Sequence, residues 1–278
     1  MQRTLGPWLA VLTVAACGRG ATAPTTIGAR GGAAPRAAAI VYFPWGQDAV
    51  FEADCWAPGA DGCAALRAQA EAGGELVVGP ARFTLTGRRD EECGASGDVA
   101  SVVGYRRSAG PDDAYPTVTI YPAGADVGLV IHPTDDASVT PALAAGLAAR
   151  ATADLAGTER ARPIAAAEVR VRQALELNVT GGPAPDLLIS ANVPLPEDNG
   201  SGYTWSALVL AVDGDREHLR SLWTSDLELW SVDASYDLDG DGRYAFIWTA
   251  AYYEGAASGA AEITDGKLVL GATVGCGA

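Results

Sequence analysis

Basic side chains are scarce in this chain: 19 lysines and arginines stand against 34 aspartates and glutamates in 278 residues, and Lys267 is the single lysine. The resulting formal charge of −15 argues against nucleic acid as a partner, because its binders present a basic surface. An anionic membrane face is repelled as well. Aromatic residues make up only 7% of the chain. Its 49% hydrophobic content leans on alanine, which buries little area per residue, so the core is adequate rather than rich. Histidine occurs twice, as His132 and His218. His132 ends a strand before Pro133 and His218 lies in a charged turn, so both read as surface histidines rather than bases. There is no Gly-x-Ser-x-Gly elbow, phosphate loop, dinucleotide fingerprint or Cys-x2-Cys pair. Paired carboxylates able to hydrolyse glycosides have no characteristic spacing to betray them. No catalytic residue is assigned, and a hydrolase ranks third among the functions considered.

What is present begins at the N-terminus. Met1 to Cys17 carries one charge at Arg3, an apolar run from Leu5 to Val14 and small residues at Ala15 and Ala16. This is the layout of a signal segment too short to span a bilayer. Leu12-Thr13-Val14-Ala15-Ala16-Cys17 resembles the lipobox of bacterial lipoproteins. The resemblance implies cleavage after residue 16 and a diacylglycerol on Cys17. Gly18 rather than aspartate follows the cysteine, which by the same resemblance implies the outer membrane. Residues 17–39 are poor in large apolar side chains and read as a flexible tether. Without Arg3, 18 basic residues remain against 34 acidic ones, so the chain is expected to be a markedly acidic body tethered by lipid in the cell envelope.

Four further cysteines, Cys55, Cys63, Cys93 and Cys276, suit an exported, oxidised chain. Three pairings are possible. The turn residues between Cys55 and Cys63 favour that bridge, leaving Cys93 for Cys276.

Residues 40–160 read as an α+β domain. Short β-rich runs begin at Ile40, Ala49, Leu76, Arg82, Val99, Thr117 and Val127, and a helix over 64–72 is opened by Asp61 and closed by Gly73-Gly74. Thr140-Pro141 opens a second helix with Leu143, Leu147 and Leu155 on one stripe, stopped at Gly157. Residues 165–278 read as mostly β. Glu168 to Leu177 alternates and runs into a loop at Asn178, and the same order of events recurs 59 residues later, where Trp230 to Tyr236 runs into Asp237. Two units, about 165–223 and 224–278, follow, each strand, loop, strand and a hairpin, through Asp213-Gly214 in one and Asp265-Gly266 in the other. Their size suggests propeller-like blades, although two copies cannot close a ring.

The sharpest local pattern is Asp237-Leu238-Asp239-Gly240-Asp241-Gly242, with a carboxylate at every second position of a glycine turn. Such oxygen donors suit calcium. The loop resembles those of FG-GAP and VCBS repeats, the integrin-α type of calcium blade. The resemblance implies Asp237, Asp239 and Asp241 as side-chain ligands and Arg243 as a carbonyl ligand to Ca2+. The ninth position, an aspartate in that family, is Ala245, so water or a distant acid such as Glu254 has to complete the shell. In the first copy Asn178, Thr180 and Asp186 hold positions one, three and nine, while Gly182 replaces the fifth; this is the weaker loop.

Between Asp186 and Asp265 there are 15 acids and three arginines, the pattern of a solvated acidic face. The same region holds Trp205, Trp223, Trp230 and Trp248. Trp230, Tyr236 and Trp248 fall on strand positions and are expected in the core; Tyr252, Tyr253 and Glu254 are the candidate exposed patch. The leading expectation is a non-enzymatic, lipid-anchored envelope protein of binding or structural type with a calcium loop. The alternative is a carbohydrate- or matrix-binding module that uses the C-terminal aromatics, its partner an envelope or extracellular protein or glycan.

Overall fold

A computed structural model describes residues 37–45, 48–89, 95–96, 102–111, 113–114, 116–132, 139–195, 202–252 and 255–277. Cys17 with most of the tether, Cys93, Tyr253, Glu254 and the side chain of Cys276 lie outside the described residues, and so does the Cys93–Cys276 pairing.

The chain is mostly β, with three antiparallel sheets and two α-helices among the described residues. In chain order the elements are β1 (Ala39–Trp45), β2 (Ala49–Trp56), α1 (Gly62–Glu71), β3 (Glu75–Val78), β4 (Ala81–Arg88), β5 (Ala95–Ser96), β6 (Val102–Ala109), β7 (Thr119–Tyr121) and β8 (Val130–Ile131). There follow α2 (Pro141–Leu155), β9 (Arg170–Leu177), β10 (Asp186–Pro194), β11 (Tyr203–Ala211), β12 (Arg220–Ser225), β13 (Leu229–Tyr236), β14 (Ala245–Tyr252), β15 (Gly255–Thr264) and β16 (Lys267–Gly277). The first sheet has the order β3-β4-β6-β2-β1-β7, the second β12-β11-β10-β9, and the third β5-β16-β15-β14-β13-β8.

Side-chain alternation stacks these sheets. Along β10, Leu187, Ile189, Ala191 and Val193 meet Leu143, Leu147, Ala151 and Leu155 of α2, while Leu188 points the other way with Leu208 and Leu210 onto Trp230, Phe246 and Trp248 of the third sheet. Both faces are covered, so β10 is buried from Asp186 to Val193, its polar Ser190 and Asn192 included. The opposite face of the third sheet, with Ala234, Tyr236 and Ile247, packs on Val41, Phe51 and Ala53 of the first. The far face of the first sheet, with Ile40, Tyr42 and Val50, is closed by Leu66 and Ala70 of α1. The layers therefore run α2, second sheet, third sheet, first sheet, α1.

Polar bridges pin the layers. Buried Gln173 on β9 donates from Nε2 to the Val232 carbonyl at 2.9 Å and accepts from the Val232 N–H at 2.7 Å. Ser190 donates to the Trp230 carbonyl beside it. Asp154 near the end of α2 accepts from Trp205 Nε1 at 3.0 Å and Ser221 Oγ at 2.5 Å, and pairs with Arg150. Thr140 caps α2, its hydroxyl accepting the Leu143 N–H at 3.2 Å, which satisfies one of the unpaired donors of the first turn.

Residues 33–278 form one compact unit, and the α+β domain expected over 40–160 does not stand apart within it. The helix α2 belongs to the second sheet's core, and β5 and β8 extend the third sheet. The two C-terminal units are four-stranded antiparallel meanders, β9 to β12 and β13 to β16. Both hairpins fall where the sequence places them. Asp213 and Gly214 have φ of 51° and 71°, and Asp265 and Gly266 have 50° and 64°, the left-handed pair that an Asp-Gly turn accommodates. Cys55 is bonded to Cys63, tying the end of β2 to the start of α1.

Candidate functional site

The Asp237 loop connects β13 to β14 and is anchored at both ends. Asp237 donates its N–H to the Val127 carbonyl at 2.8 Å, and Leu238 is buried in the core between the third and first sheets. Each aspartate then organises the turn. Asp237 accepts from the N–H groups of Gly240 at 2.7 Å and Gly242 at 3.2 Å, Asp239 accepts from Asp241 at 3.1 Å, and Asp241 accepts from Arg243 at 2.7 Å. Gly240 and Gly242 take φ of 82° and 86°, a region that glycine enters without a Cβ penalty. Ligand oxygens of Asp237, Asp239 and Asp241 lie within 4.8 Å of one another, the first residue buried and the other two exposed. Arg243 Nε sits 3.8 Å from Asp241 Oδ2 and offsets part of the charge.

The first-copy loop is built differently. Asp186, the ninth position, is fully buried and holds four donor groups: the N–H groups of Val179 at 2.9 Å, Thr180 at 2.8 Å and Asp213 at 2.9 Å, and the Thr180 hydroxyl at 2.9 Å. Both its oxygens thus face protein donors. Asn178 accepts the Gly181 N–H at 2.9 Å, the same contact that Asp237 makes with Gly240. Gly182 has a steric reason to be glycine: a Cβ there would lie 2.3 Å from Asp213 Oδ1. Asp213 thereby occupies the space an acid at the fifth position would need. The two loops touch, with the Tyr244 N–H donating to the Asn178 carbonyl at 2.8 Å.

A larger feature lies beside the loop and leaves no local trace in the sequence. Between the first and third sheets opens a cleft of about 720 Å³ lined by Glu52, Asp54, Arg67, Arg88, Tyr236 and Glu262 among others. A smaller pocket of about 120 Å³ shares Asp54, Tyr236 and Glu262 with it and reaches Asp239 and Asp241. Arg67 of α1 grips Glu52 through Nε at 2.8 and 2.9 Å and Nη2 at 2.6 Å. Buried Tyr236 donates its hydroxyl to Asp54 Oδ2 at 3.1 Å, and burial beside Asp54 pushes that phenol up.

Burial pushes the Asp54 carboxyl above the usual range; hydrogen bonds from the Cys55 N–H and the Tyr236 hydroxyl oppose this, and the charges of Glu262 and Glu52 add to it. A raised folded-state value means that the native protein holds this proton more tightly than the unfolded chain. The stability contribution is then complete below the unfolded value of about 3.9 and is lost as pH rises through the folded one. Asp54→Asn is expected to lose less stability than the parent between about pH 4 and pH 7, read as the difference in urea-unfolding free energy at the two pH values. Equal differences in the two proteins would show that Asp54 titrates normally.

The other candidates separate. Tyr252 is half-buried at the end of β14. Trp205, Trp230, Tyr236 and Trp248 are core residues, as strand periodicity requires. Half-buried His132 bonds to Ser235 Oγ at 2.9 Å, but Ser235 is fully buried. Exposed His218 pairs with Asp215 at 2.7 Å, a contact that raises its affinity for a proton. Asp233, which sequence reasoning passed over, accepts from Thr249 at 2.6 Å and Ser231 at 3.1 Å within the third sheet; burial raises its carboxyl. No helix among the described residues is long and apolar enough to cross a membrane. No protein-family model, no curated protein and no solved structure matches the chain.

Proposed function

We propose that the protein is a non-enzymatic component of the cell envelope, held to the outer membrane by a lipid on Cys17, with a calcium ion in the Asp237 loop of its propeller-blade-like repeats. The observation that carries the calcium reading is the convergence of three carboxylate oxygens within 4.8 Å of one another. That span does not exceed twice the calcium–oxygen distance of about 2.4 Å, so the three are near enough to close on one ion with a small adjustment of the exposed Asp239 and Asp241 side chains. The carbonyl of Arg243 adds a fourth oxygen, and water takes the place of the side chain that Ala245 lacks. Two consecutive four-stranded meanders stacked in one assembly support the blade reading. The anchor rests on Leu12 to Cys17.

The test is a thermal melt of the full chain with calcium, with magnesium and with chelator at constant ionic strength. Calcium at a hundred times its Kd is expected to add about 2.7 kcal/mol, seen as a rise in Tm absent with magnesium and abolished by the double substitution Asp239→Asn and Asp241→Asn. An unchanged melt in excess calcium would overturn the metal assignment and leave these aspartates as turn-forming residues.

A further inference from the structure

We propose that the cleft between the first and third sheets binds a carbohydrate, a neutral ligand rich in hydroxyl groups. The cleft is room that the sequence leaves open. Facing sheets pack about 10 Å apart, a gap that large side chains must fill. Between the second and third sheets it is filled by Leu188, Trp230, Phe246 and Trp248. Beside the cleft the first and third sheets present Ala53, Ala245, Ala260, Gly271 and Ala272, short side chains that pack at the core edge and leave room beyond it. The opening of about 720 Å³ falls in the size range of small-molecule sites.

The charges of the lining are nearly balanced, and this selects the ligand. Glu52 is neutralised by the bidentate Arg67 contact, and Asp54 is engaged by the Tyr236 hydroxyl and the Cys55 N–H. Glu262, which accepts the Thr264 hydroxyl at 3.1 Å, and Arg88 are exposed and of opposite sign. In the larger cleft, with three carboxylates and two guanidinium groups, a cation or an anion gains little net attraction. Hydroxyl groups gain from both kinds of side chain, donating to the carboxylates and accepting from the guanidinium, in charge-assisted bonds stronger than neutral ones. The narrower end supplies the other half of sugar recognition: Trp56 and Tyr244, both half-buried, line the smaller pocket that continues the cleft past Asp54 and Glu262. Where these rings line the pocket they offer apolar surface to the C–H side of a pyranose. This site is distinct from the patch at Tyr252, and its narrower end adjoins the ion loop at Asp239 and Asp241.

The experiment is an array of neutral, acidic and basic glycans probed with the full chain in the presence of chelator, so that the result does not depend on an ion in the Asp237 loop. The best-bound oligosaccharide is then titrated by calorimetry. Binding to a neutral oligosaccharide is expected, weakened at least about tenfold, or about 1.4 kcal/mol, by Glu262→Gln and by Trp56→Ala. Glu262 is exposed, so its variant is expected to keep the parent Tm and to separate a binding role from a structural one. No glycan above background, an affinity unchanged in Glu262→Gln, or a preference for an octalysine peptide or inorganic phosphate over the neutral sugars would each overturn the assignment.

Discussion

Asp186→Ala is expected to lower the unfolding free energy by about 3–5 kcal/mol, measured by urea denaturation with an unchanged m-value. The carboxylate is fully buried and its oxygens receive the N–H groups of Val179, Thr180 and Asp213 and the Thr180 hydroxyl. Truncation leaves those donors without an acceptor in a place that water does not reach, and each buried unsatisfied donor costs about 1–3 kcal/mol. Asp186→Asn keeps one acceptor oxygen and is expected to lose less, because it satisfies some of the donors while its own amide meets others head-on. A loss below about 1 kcal/mol for the alanine variant would show that these bonds do not hold the loop. The position is instructive because its counterpart in the second copy is Ala245. There the turn is held from its first residue, by Asp237 on Gly240 and Gly242, and not from its ninth. One copy has kept the acid that folds the loop from behind, and the other has kept the acids that point into it.

Trp230→Ala is expected to cost about 3–5 kcal/mol. Trp230 is 2% exposed and stacks on Trp248 with ring centroids 4.3 Å apart and an interplanar angle of 14°, while Trp223 lies 4.8 Å away on its other flank. Removing the indole leaves a cavity between the second and third sheets that their hydrogen-bonded strands cannot collapse to fill. The result also separates two roles for the C-terminal aromatics. A sugar platform would lose ligand and keep its stability, whereas a core residue loses stability first. A variant that melts within a degree or two of the parent would show that the Trp230 indole does not hold the core.

Much of the C-terminal architecture is legible in the sequence because it is local and repeated. The 59-residue offset that aligns Asn178 with Asp237 also aligns β9 with β13 residue for residue and gives β10 and β14 the same starting position. The Asp-Gly hairpins, the Thr140 cap and the Cys55–Cys63 bridge are short-range features with short-range signals. The cleft was illegible for the opposite reason. Asp54 and Tyr236 lie 182 positions apart, on strands of different sheets, and Glu262 reaches the same space from a third strand. Alternation shows that each side chain faces one side of its own sheet, but not which other sheet lies opposite. The same limit explains the expected boundary near residue 160: β8 is too short to reveal that its partner is β13, and the apolar stripe of α2 does not say whose sheet it covers.

The order of layers differs from the order of synthesis. The last sheet along the chain, closed by β16, is the middle one in space, with an apolar face toward each neighbour. Until those final residues are made, the first sheet lacks the cover that Tyr236, Ile247 and Val274 provide, and the second lacks Trp230, Phe246 and Trp248. N-terminal segments of a nascent chain ordinarily fold as they emerge. Here the two earlier halves can do no more than wait with one greasy side open. A premature stop before β13 would therefore release not a shorter protein but two sticky half-sandwiches, and the protein's exposure to aggregation and to proteases is concentrated in the interval before its C-terminus arrives.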